Sequence, residues 1–364
     1  MRLVFTSYVK SPTFTQPIAW LKRIEACTGI LQSLSHNHIV TGIERIDFEG
    51  NYEQEGVQYC FIRLKRNVVY FPFRIHSLIE TLEPDVVFVN GFIFPLQVIQ
   101  LKWRIGRKKK IIVLHRAEKP FRGIKRWLQL LADKSVDAYL FSSLDFRDVW
   151  KRNLDVRKIH QVMQASSVFL LEHKGLARTK TNVEGQPIFL WVGRLDKNKD
   201  PLTVVRAFLQ FSRRQPTATL YMIYQDEDLL PSIKKMIESD SKAAGTVHLV
   251  GKIDHAHMQS WYNSADFFIA GSHYEGGGTA VTEAMSCGCI PILTDIPSFR
   301  GITGHGKCGL LYRPGSEKEL VQVLEKAVSL SREQELQKVL RQFNDELSFD
   351  AIAGKINKII NSLR

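Results

Sequence analysis

The segment DFFIAGSHYEGGGTAVTEAMSCGCIPILTD, residues 266–295, contains one complete strand–helix–strand unit. The apolar run DFFIA predicts a strand over 266–270, TAVTEAM predicts a helix that begins at Thr279, and IPILT predicts a second strand over 290–294. Neither apolar run alternates with polar residues, which is expected of strands that are covered on both faces. The segment therefore predicts a parallel sheet with helices on both sides.

The same rhythm of short apolar runs and helical stretches extends over the rest of the chain, with an interruption near its middle. Further strands are predicted in the first half at 2–6, 85–89, 110–114 and 137–141, and in the second half at 188–192, 219–224 and 247–251. Two successive runs of this kind predict an α/β fold with two Rossmann-like, doubly wound domains that face an interdomain cleft. In such sheets, ligands bind at the carboxyl ends of the strands.

The interruption lies in EHKGLARTKTNVEGQP, where no apolar period is found. We therefore predict an N-terminal domain over 1–170, a linker over 171–187 and a C-terminal domain over 188–345. The last stretch, 346–364, is predicted to be a helix that packs back on the N-terminal domain.

Composition and charge favour a globular protein with an anionic partner. The chain has 364 residues, of which 44% are hydrophobic and 24% charged. Its formal net charge is +13, and almost all of this excess lies in the first half, in basic clusters at 102–110, 122–127 and 151–158. Such clusters attract an anionic membrane surface or a nucleic acid, or they form a solvated basic face. Charge alone does not separate these three interpretations.

Cysteine content and hydropathy indicate a reducing compartment. The five cysteines follow neither a disulfide framework nor the spacing of a metal site. No basic-then-apolar leader opens the chain, and the longest uncharged run, 86–101, is too short and too interrupted to span a bilayer. We expect a cytoplasmic protein, with peripheral association at the inner face of the membrane.

Three glycines, Gly276–Gly278, follow a predicted strand and lead directly into a helix. The free amide groups and the dipole at a helix N-terminus bind anions, and glycines let a phosphate approach the backbone. Glu275 and Glu283 flank this cradle; carboxylates suit the hydroxyls of a sugar ring rather than a phosphate. Arg194 and Lys199 follow the strand at 188–192 and should lie at the same sheet edge. Together these residues predict a site for a nucleotide sugar.

Three linked motifs carry a family resemblance. VGRLDKNKDPL, EGGGTAVTEAMSCGCIPILTD and GKCGLLYRPGSEKEL resemble, over roughly 186–330, the family 4 retaining glycosyltransferases of GT-B fold. The resemblance implies that Arg194 and Lys199 neutralise the donor diphosphate. It implies also that Glu275 binds the transferred sugar and that Glu283 binds the ribose.

The resemblance extends to further residues of the predicted site. The backbone of Gly277, Gly278 and Thr279 would bind the phosphate, and the loop at Gly251 and Lys252 would lie near the base. His115, which follows the predicted strand at 110–114, would lie near the reacting sugar, as a histidine does in the family; the alternative for a single histidine at a strand end is a structural role. The catalytic set implied in this way is Glu275, His115, Arg194 and Lys199.

The implied activity is transfer of a hexose from a UDP- or GDP-sugar to a glycan or lipid-linked acceptor, with retention of configuration, in the synthesis of cell-surface polysaccharide or lipopolysaccharide. The N-terminal domain would bind the acceptor and contact an anionic membrane, and nucleic acid is not an expected partner. No metal cofactor is expected, because Arg194 and Lys199 supply the positive charge. The alternative is a divalent cation bound at the loop QDED, 225–228, because this loop resembles a D-x-D metal site.

The chain departs from the family pattern at two places. Gly277 stands where the family has a bulky apolar residue, and the first loop, SYVKSPTFTQP, lacks the glycine pair that admits donor phosphates in many members. Two other functions stay open: an epimerase or hydrolase of nucleotide sugars, and a basic nucleic-acid-binding or scaffold protein on an inactive transferase fold.

Overall fold

A computed structural model describes residues 1–63, 70–240 and 245–363. The chain forms two compact units: unit 1 consists of Met1–Ser166 and Phe349–Arg364, and unit 2 consists of Ser167–Ser348.

Unit 1 is built on an eight-stranded sheet in which all described neighbours run parallel, apart from β3 and β4. Its strand order is β3-β4-β2-β1-β5-β6-β7-β8. The strands are β1 (Arg2–Ser7), β2 (Ile39–Glu44), β3 (Gly50–Gln54), β4 (Val57–Phe61), β5 (Val86–Asn90), β6 (Lys110–Leu114), β7 (Ala138–Phe141) and β8 (Ile159–Gln161).

The helices of unit 1 connect these strands, with one more from the C-terminal end of the chain. They are α1 (Pro17–Arg23), α2 (Glu25–Ser35), α3 (Phe73–Thr81), α4 (Pro95–Ile105), α5 (Lys125–Asp133), α6 (Phe146–Trp150) and α15 (Phe349–Ser362), and a 3₁₀ turn covers Val156–Lys158. Helix α15 packs against α2. A β-carbon on Gly29 would lie 2.5 Å from the ring of Phe349, so only a glycine permits this close approach.

Unit 2 contains a six-stranded parallel sheet with the order β11-β10-β9-β12-β13-β14. The strands are β9 (Ile188–Gly193), β10 (Thr219–Tyr224), β11 (Val247–Gly251), β12 (Phe267–Ala270), β13 (Ile290–Thr294) and β14 (Leu310–Tyr312). The helices are α7 (Lys174–Thr181), α8 (Pro201–Ser212), α9 (Leu230–Glu238), α10 (His255–Ser264), α11 (Thr279–Ser286), α12 (Pro297–Ile302), α13 (Glu317–Ser329) and α14 (Arg332–Gln342), followed by a π-helical turn over Phe343–Leu347.

Each strand predicted from an apolar run is present, but five observed strands were not predicted: β2, β3, β4, β8 and β14. Strand β3, GNYEQ, is polar because it lies at the sheet edge and is paired on one side only. Strands β8 and β14 have three residues each, which is too short for a period to show.

The predicted linker over 171–187 is wrong, because this segment belongs to unit 2 and contains α7. The helix has one buried residue, so no apolar period marks it. Ion pairs hold it in place: Lys174 Nζ lies 2.8 Å from Asp266 Oδ1, and Arg178 Nη2 lies 3.0 Å from Asp266 Oδ2. Burial raises the pKa of Asp266, but the charge and hydrogen bond of Lys174, the hydrogen bond from the Ile188 amide and the Arg332 charge together outweigh it, and the pKa lies below its ordinary value.

The C-terminal helix begins at Phe349 and is part of unit 1, whereas Phe343–Leu347 belongs to unit 2. Across the described ranges, no helix has both the length and the apolar character that a bilayer crossing requires.

Candidate active site

The carboxyl ends of β9 and β12 bring together the charged residues predicted for unit 2. These strands are neighbours in the sheet, so the loops that follow them lie side by side. Lys199 Nζ donates a hydrogen bond to Glu275 Oε1, and both side chains are mostly buried. Asn198 Nδ2 also donates to the carbonyl of Tyr274 at 3.0 Å, which ties the two loops together. The predicted meeting of the two strand ends is therefore present in the structure.

The glycine triplet forms an open backbone cradle at the start of α11. Gly278 is the residue that precedes the helix, with φ of 57°, and a β-carbon there would lie 2.9 Å from Ile302 Cδ1. The amide groups of Gly276–Thr279 donate no hydrogen bond to any described part of the chain. They remain available to an anion, which the helix dipole also favours. Gly277 has no atom within 4 Å of a β-carbon, so this position has room for a larger group.

Glu283 lies on α11, and each of its carboxylate oxygens has one hydrogen-bond partner from α10. Tyr262 donates its hydroxyl to Oε2 at 2.8 Å, and His255 Nε2 lies 3.1 Å from Oε1. The glutamate is 8% exposed, so its orientation depends on these partners. Burial, and then the Glu283 charge, raise the pKa of Tyr262 well above its ordinary value, which keeps the phenol protonated as a donor.

The other residues predicted for the donor site lie at the same edge of the sheet. Arg194 follows β9 with its side chain 60% exposed, and its Nη2 lies 3.1 Å from Asp196 Oδ2. Gly251 ends β11, two strands from β9, with φ of 83°, and the exposed Lys252 follows it. Thr279 is exposed at the first position of α11. Because the sheet is parallel, all of these carboxyl ends point to one side.

His115 lies in unit 1 and is packed among aromatic rings. Its ring is 1% exposed and is stacked on Phe141 at a centroid distance of 4.2 Å, with Trp150 at its edge. Its Nε2 lies 3.0 Å from the carbonyl of Glu118, and burial lowers the pKa of the imidazole. These surroundings are those of a neutral ring in a core. Its catalytic role stays a prediction.

Two residues of this site were missed from the sequence. Tyr262 and His255 hold Glu283 from α10, at separations of 21 and 28 residues. In the sequence, His255 is marked only by its i, i+2 spacing with His257, and this spacing in a polar loop does not indicate a role. No local pattern marks contacts of this kind, because they arise when α10 and α11 pack together.

The described residues contain no group of three or more His, Cys, Asp and Glu side chains placed to hold a metal ion. The loop QDED follows β10, and its Asp226 carbonyl accepts a hydrogen bond from the Leu195 amide at 3.4 Å.

Comparison with known proteins agrees with this geometry. Residues 174–345 match the family model of glycosyl transferases group 1. A GDP-mannose:cellobiosyl-diphosphopolyprenol alpha-mannosyltransferase of Xanthomonas oryzae is 29% identical over 122 residues, which cover 34% of this chain and 32% of the relative. The alpha-monoglucosyldiacylglycerol synthase of Acholeplasma laidlawii is 25% identical over 185 residues, 48% of this chain and 46% of the relative. The chain thus matches about a third to a half of the length of these curated relatives.

Solved structures resemble the chain over its whole length. A glycosyltransferase from Rickettsia africae superimposes with a TM-score of 0.74 at 15% identity, covering 100% of this chain and 98% of that one. The Anabaena protein Alr3699/HepE in complex with UDP gives a TM-score of 0.73 at 13% identity, with 100% of both chains covered.

These likenesses place the chain among proteins of GT-B fold, with two Rossmann-like α/β domains. Its residues 174–345 are similar to the glycosyl transferases group 1 family. The resemblance to family 4 glycosyltransferases in the motifs of unit 2 is thereby confirmed at the level of the family.

Proposed function

We propose that the protein is a retaining hexosyltransferase that moves a sugar from a nucleotide-diphosphate donor to a glycan or lipid-linked acceptor. The observation that carries the proposal is the cluster in unit 2, where a cation, two glutamates and an open amide cradle meet within the family-matched segment. Relatives named for mannosyl or glucosyl transfer to diphosphopolyprenol and diacylglycerol acceptors support this substrate class.

In this proposal the donor diphosphate lies over the amides of Gly277, Gly278 and Thr279. Lys199 then makes two kinds of contact, because its ammonium has three donors and can hold Glu275 and a phosphate oxygen together. Glu275 accepts hydrogen bonds from the transferred sugar, and Glu283 accepts them from the ribose. The contact between Lys199 and Glu275 therefore sets the phosphate and the sugar next to each other.

The transfer breaks the bond between the anomeric carbon and the diphosphate oxygen, and negative charge builds on that oxygen. In this proposal the Lys199 ammonium and the cradle amides stabilise this charge, and preorganised donors of this kind lower the barrier. The acceptor hydroxyl oxygen then forms the new bond on the same face of the sugar. Its proton passes to the departing diphosphate. Because the protein supplies positive charge here, we propose that the donor needs no metal ion.

The test is donor binding, followed by transfer. Thermal unfolding is measured with UDP, GDP and their sugar conjugates, with and without magnesium, for wild type, Lys199→Ala and Glu283→Gln. A donor at about 100 times its dissociation constant should stabilise the wild type by roughly 2.7 kcal/mol. Lys197→Ala is the matched control, because Lys197 is an exposed lysine in the same loop. It should keep the full shift, whereas Lys199→Ala should lose most of it.

Three results would contradict the proposal or part of it. If no nucleotide shifts the unfolding temperature, the donor site is wrong. If the donor is consumed at the same rate without any acceptor, the enzyme is a hydrolase or an epimerase. If the shift requires magnesium, the metal-independent part of the proposal fails.

We propose also that unit 1 contacts an anionic membrane through α5 and the residues just before it. Ile124, Trp127 and Leu131 are 88%, 66% and 52% exposed and lie three or four residues apart, on one side of the helix. Lys125 and Arg126 are interleaved with them; Lys125 is exposed and Arg126 is half-buried. An apolar stripe with flanking cations binds the surface of anionic bilayers. This placement would suit a lipid-linked acceptor.

Sedimentation with vesicles tests the contact. Wild type should bind vesicles of phosphatidylglycerol and phosphatidylcholine at low salt and should not bind vesicles of phosphatidylcholine alone. Trp127→Ala should weaken binding, whereas Trp103→Ala, which removes an 88% exposed tryptophan from α4, should not. Equal loss in both variants would mean that α5 is not the contact, and no binding at all would end the membrane proposal.

A further inference from the structure

Unit 1 has a cavity of about 470 Å³ at the carboxyl ends of its central strands. Ser7 ends β1, Glu44 ends β2 and Asn90 ends β5, and all three line the cavity. Much of the remaining wall is apolar and includes Trp20 and Ile24 from the α1–α2 region. The cavity belongs to unit 1 alone, and none of the donor-site residues of unit 2 lines it.

One carboxyl group in this wall has unused hydrogen-bonding capacity. Glu44 Oε2 accepts a hydrogen bond from Trp20 Nε1 at 3.0 Å. Within the described part of the chain, no other donor reaches the Glu44 carboxyl group. Burial raises the pKa of Glu44 to about 7, and the Trp20 hydrogen bond and the Arg116 charge only partly oppose this rise. A carboxyl group in mostly apolar surroundings is costly to leave without a donor.

The cation nearest this cavity is fixed in position by its neighbours. Arg116 also lines the cavity; its Nε donates to Asn90 Oδ1 at 3.3 Å and its Nη1 donates to the carbonyl of Gln164 at 3.2 Å. The guanidinium is therefore held beside the wall rather than directed into a single ion pair with Glu44. The cavity thus combines an apolar wall, a carboxyl oxygen that needs a donor and a fixed positive charge.

Hydroxyl groups on a ring with an apolar face satisfy all of these features. A purely apolar ligand would leave the second oxygen of Glu44 without a donor, and an anionic ligand would face the Glu44 charge whenever that group is ionised. The first loop, which lacks the expected glycine pair, contributes Ser7, Val9 and Ser11 to the same wall. The loop therefore builds part of this cavity.

We propose that this cavity binds one sugar ring of the acceptor, with the free Glu44 oxygen accepting a hydrogen bond from a ring hydroxyl. Glu44 is then a residue that selects the acceptor. The inference rests on the proposed transferase function, but it concerns a site in the other unit and has its own test.

The cavity contains a natural reporter, because Cys27 lines it and is partly exposed. Hexyl β-D-glucopyranoside, which has hydroxyls and an alkyl chain, serves as the probe, and 1-hexanol is the control without a sugar. The rate of alkylation by N-ethylmaleimide is measured at pH 8 for each cysteine by mass spectrometry. Cys60, also partly exposed in unit 1 but absent from this wall, is the internal control.

The glucoside should slow alkylation of Cys27 and leave that of Cys60 unchanged, whereas 1-hexanol should protect neither. In Glu44→Gln, which keeps the size of the side chain and an acceptor for Trp20, about tenfold more glucoside should be needed, because a charged acceptor binds more strongly than a neutral one. Glu53→Gln, an exposed site on β3, should behave as wild type.

Equal protection by 1-hexanol, equal protection in Glu44→Gln, or no protection at all would each overturn the inference. The nucleotide shift in thermal unfolding is measured on the same samples. A normal nucleotide shift without protection of Cys27 would reject the acceptor cavity alone, whereas a missing nucleotide shift would reject the proposed function.

Discussion

The half-buried carboxyl group of Glu44 makes the stability of unit 1 depend on pH, and a single substitution removes this dependence. Its pKa is raised from 4.5 to about 7 by burial, whereas in the unfolded chain the group returns to its ordinary value. Between these two pH values the folded protein keeps a proton that the unfolded chain has lost. Because the folded state binds more protons there, the free energy of unfolding falls as pH rises through this window.

The size of the effect follows from the shift. One pKa unit corresponds to about 1.4 kcal/mol, so a rise from 4.5 to about 7 costs unit 1 roughly 3 kcal/mol by pH 8 relative to pH 4. With a urea dependence of about 2 kcal/mol/M, this loss lowers the midpoint of unfolding by about 1.5 M. Glu44→Gln has no proton to lose, and its amide oxygen still accepts from Trp20.

The assay is urea unfolding of wild type and Glu44→Gln at several pH values between 4 and 8. Alkylation of Cys60, in β4, reports the unfolding of unit 1 separately from that of unit 2. Other titrating groups are present in both proteins, so they cancel in the difference between the midpoints. That difference should grow in favour of the variant as pH rises, while Glu53→Gln should show no such trend. Midpoints that stay parallel over the whole range would refute the buried state of Glu44.

Four further substitutions test other parts of the molecule. Gly278→Ala should destabilise unit 2 by roughly 1–2 kcal/mol, because its φ is 57° and its β-carbon position is 2.9 Å from Ile302, whereas Gly277→Ala should be nearly neutral in thermal unfolding. Asp266→Asn should destabilise unit 2 by roughly 2 kcal/mol in urea unfolding, because it removes a buried carboxylate that binds two partly exposed cations; since the pKa of Asp266 is lowered, the wild-type advantage should vanish as pH falls through that pKa. His115→Phe should keep transferase activity if the ring only packs, and loss of activity with an unchanged unfolding temperature would instead establish a chemical role.

The two halves of the proposed donor site differ in how their polar groups are paired. Lys199 and Glu275 are paired with each other, whereas the cradle amides have no partner in the described chain. Binding of an anion therefore adds hydrogen bonds to the amides and breaks none. The ammonium needs only to share its donors, so little of the site has to be rearranged.

The sequence by itself determined the features that depend on neighbouring residues. Apolar runs without alternation predicted the buried strands of both sheets, because a strand covered on both faces must be apolar along its length. Glycines between a strand and a helix predicted the anion cradle, because the amides at a helix start have no partner whatever the rest of the fold. The parallel sheet then predicted that Arg194 and Lys199 would lie at the same edge as the glycines, and Lys199 contacts Glu275 there.

Tertiary structure alone decided the features that join distant parts of the chain. Glu283 is oriented by Tyr262 and His255, and Glu44 is half-buried next to Trp20, across separations of 20 or more residues. A single polar residue forms no repeating pattern along the sequence. The sequence therefore does not tell whether its side chain faces water or a cavity wall. Only the packing of helices on the sheet removes the water, and it is this loss of solvent that raises the pKa of Glu44 and gives the cavity its chemical character.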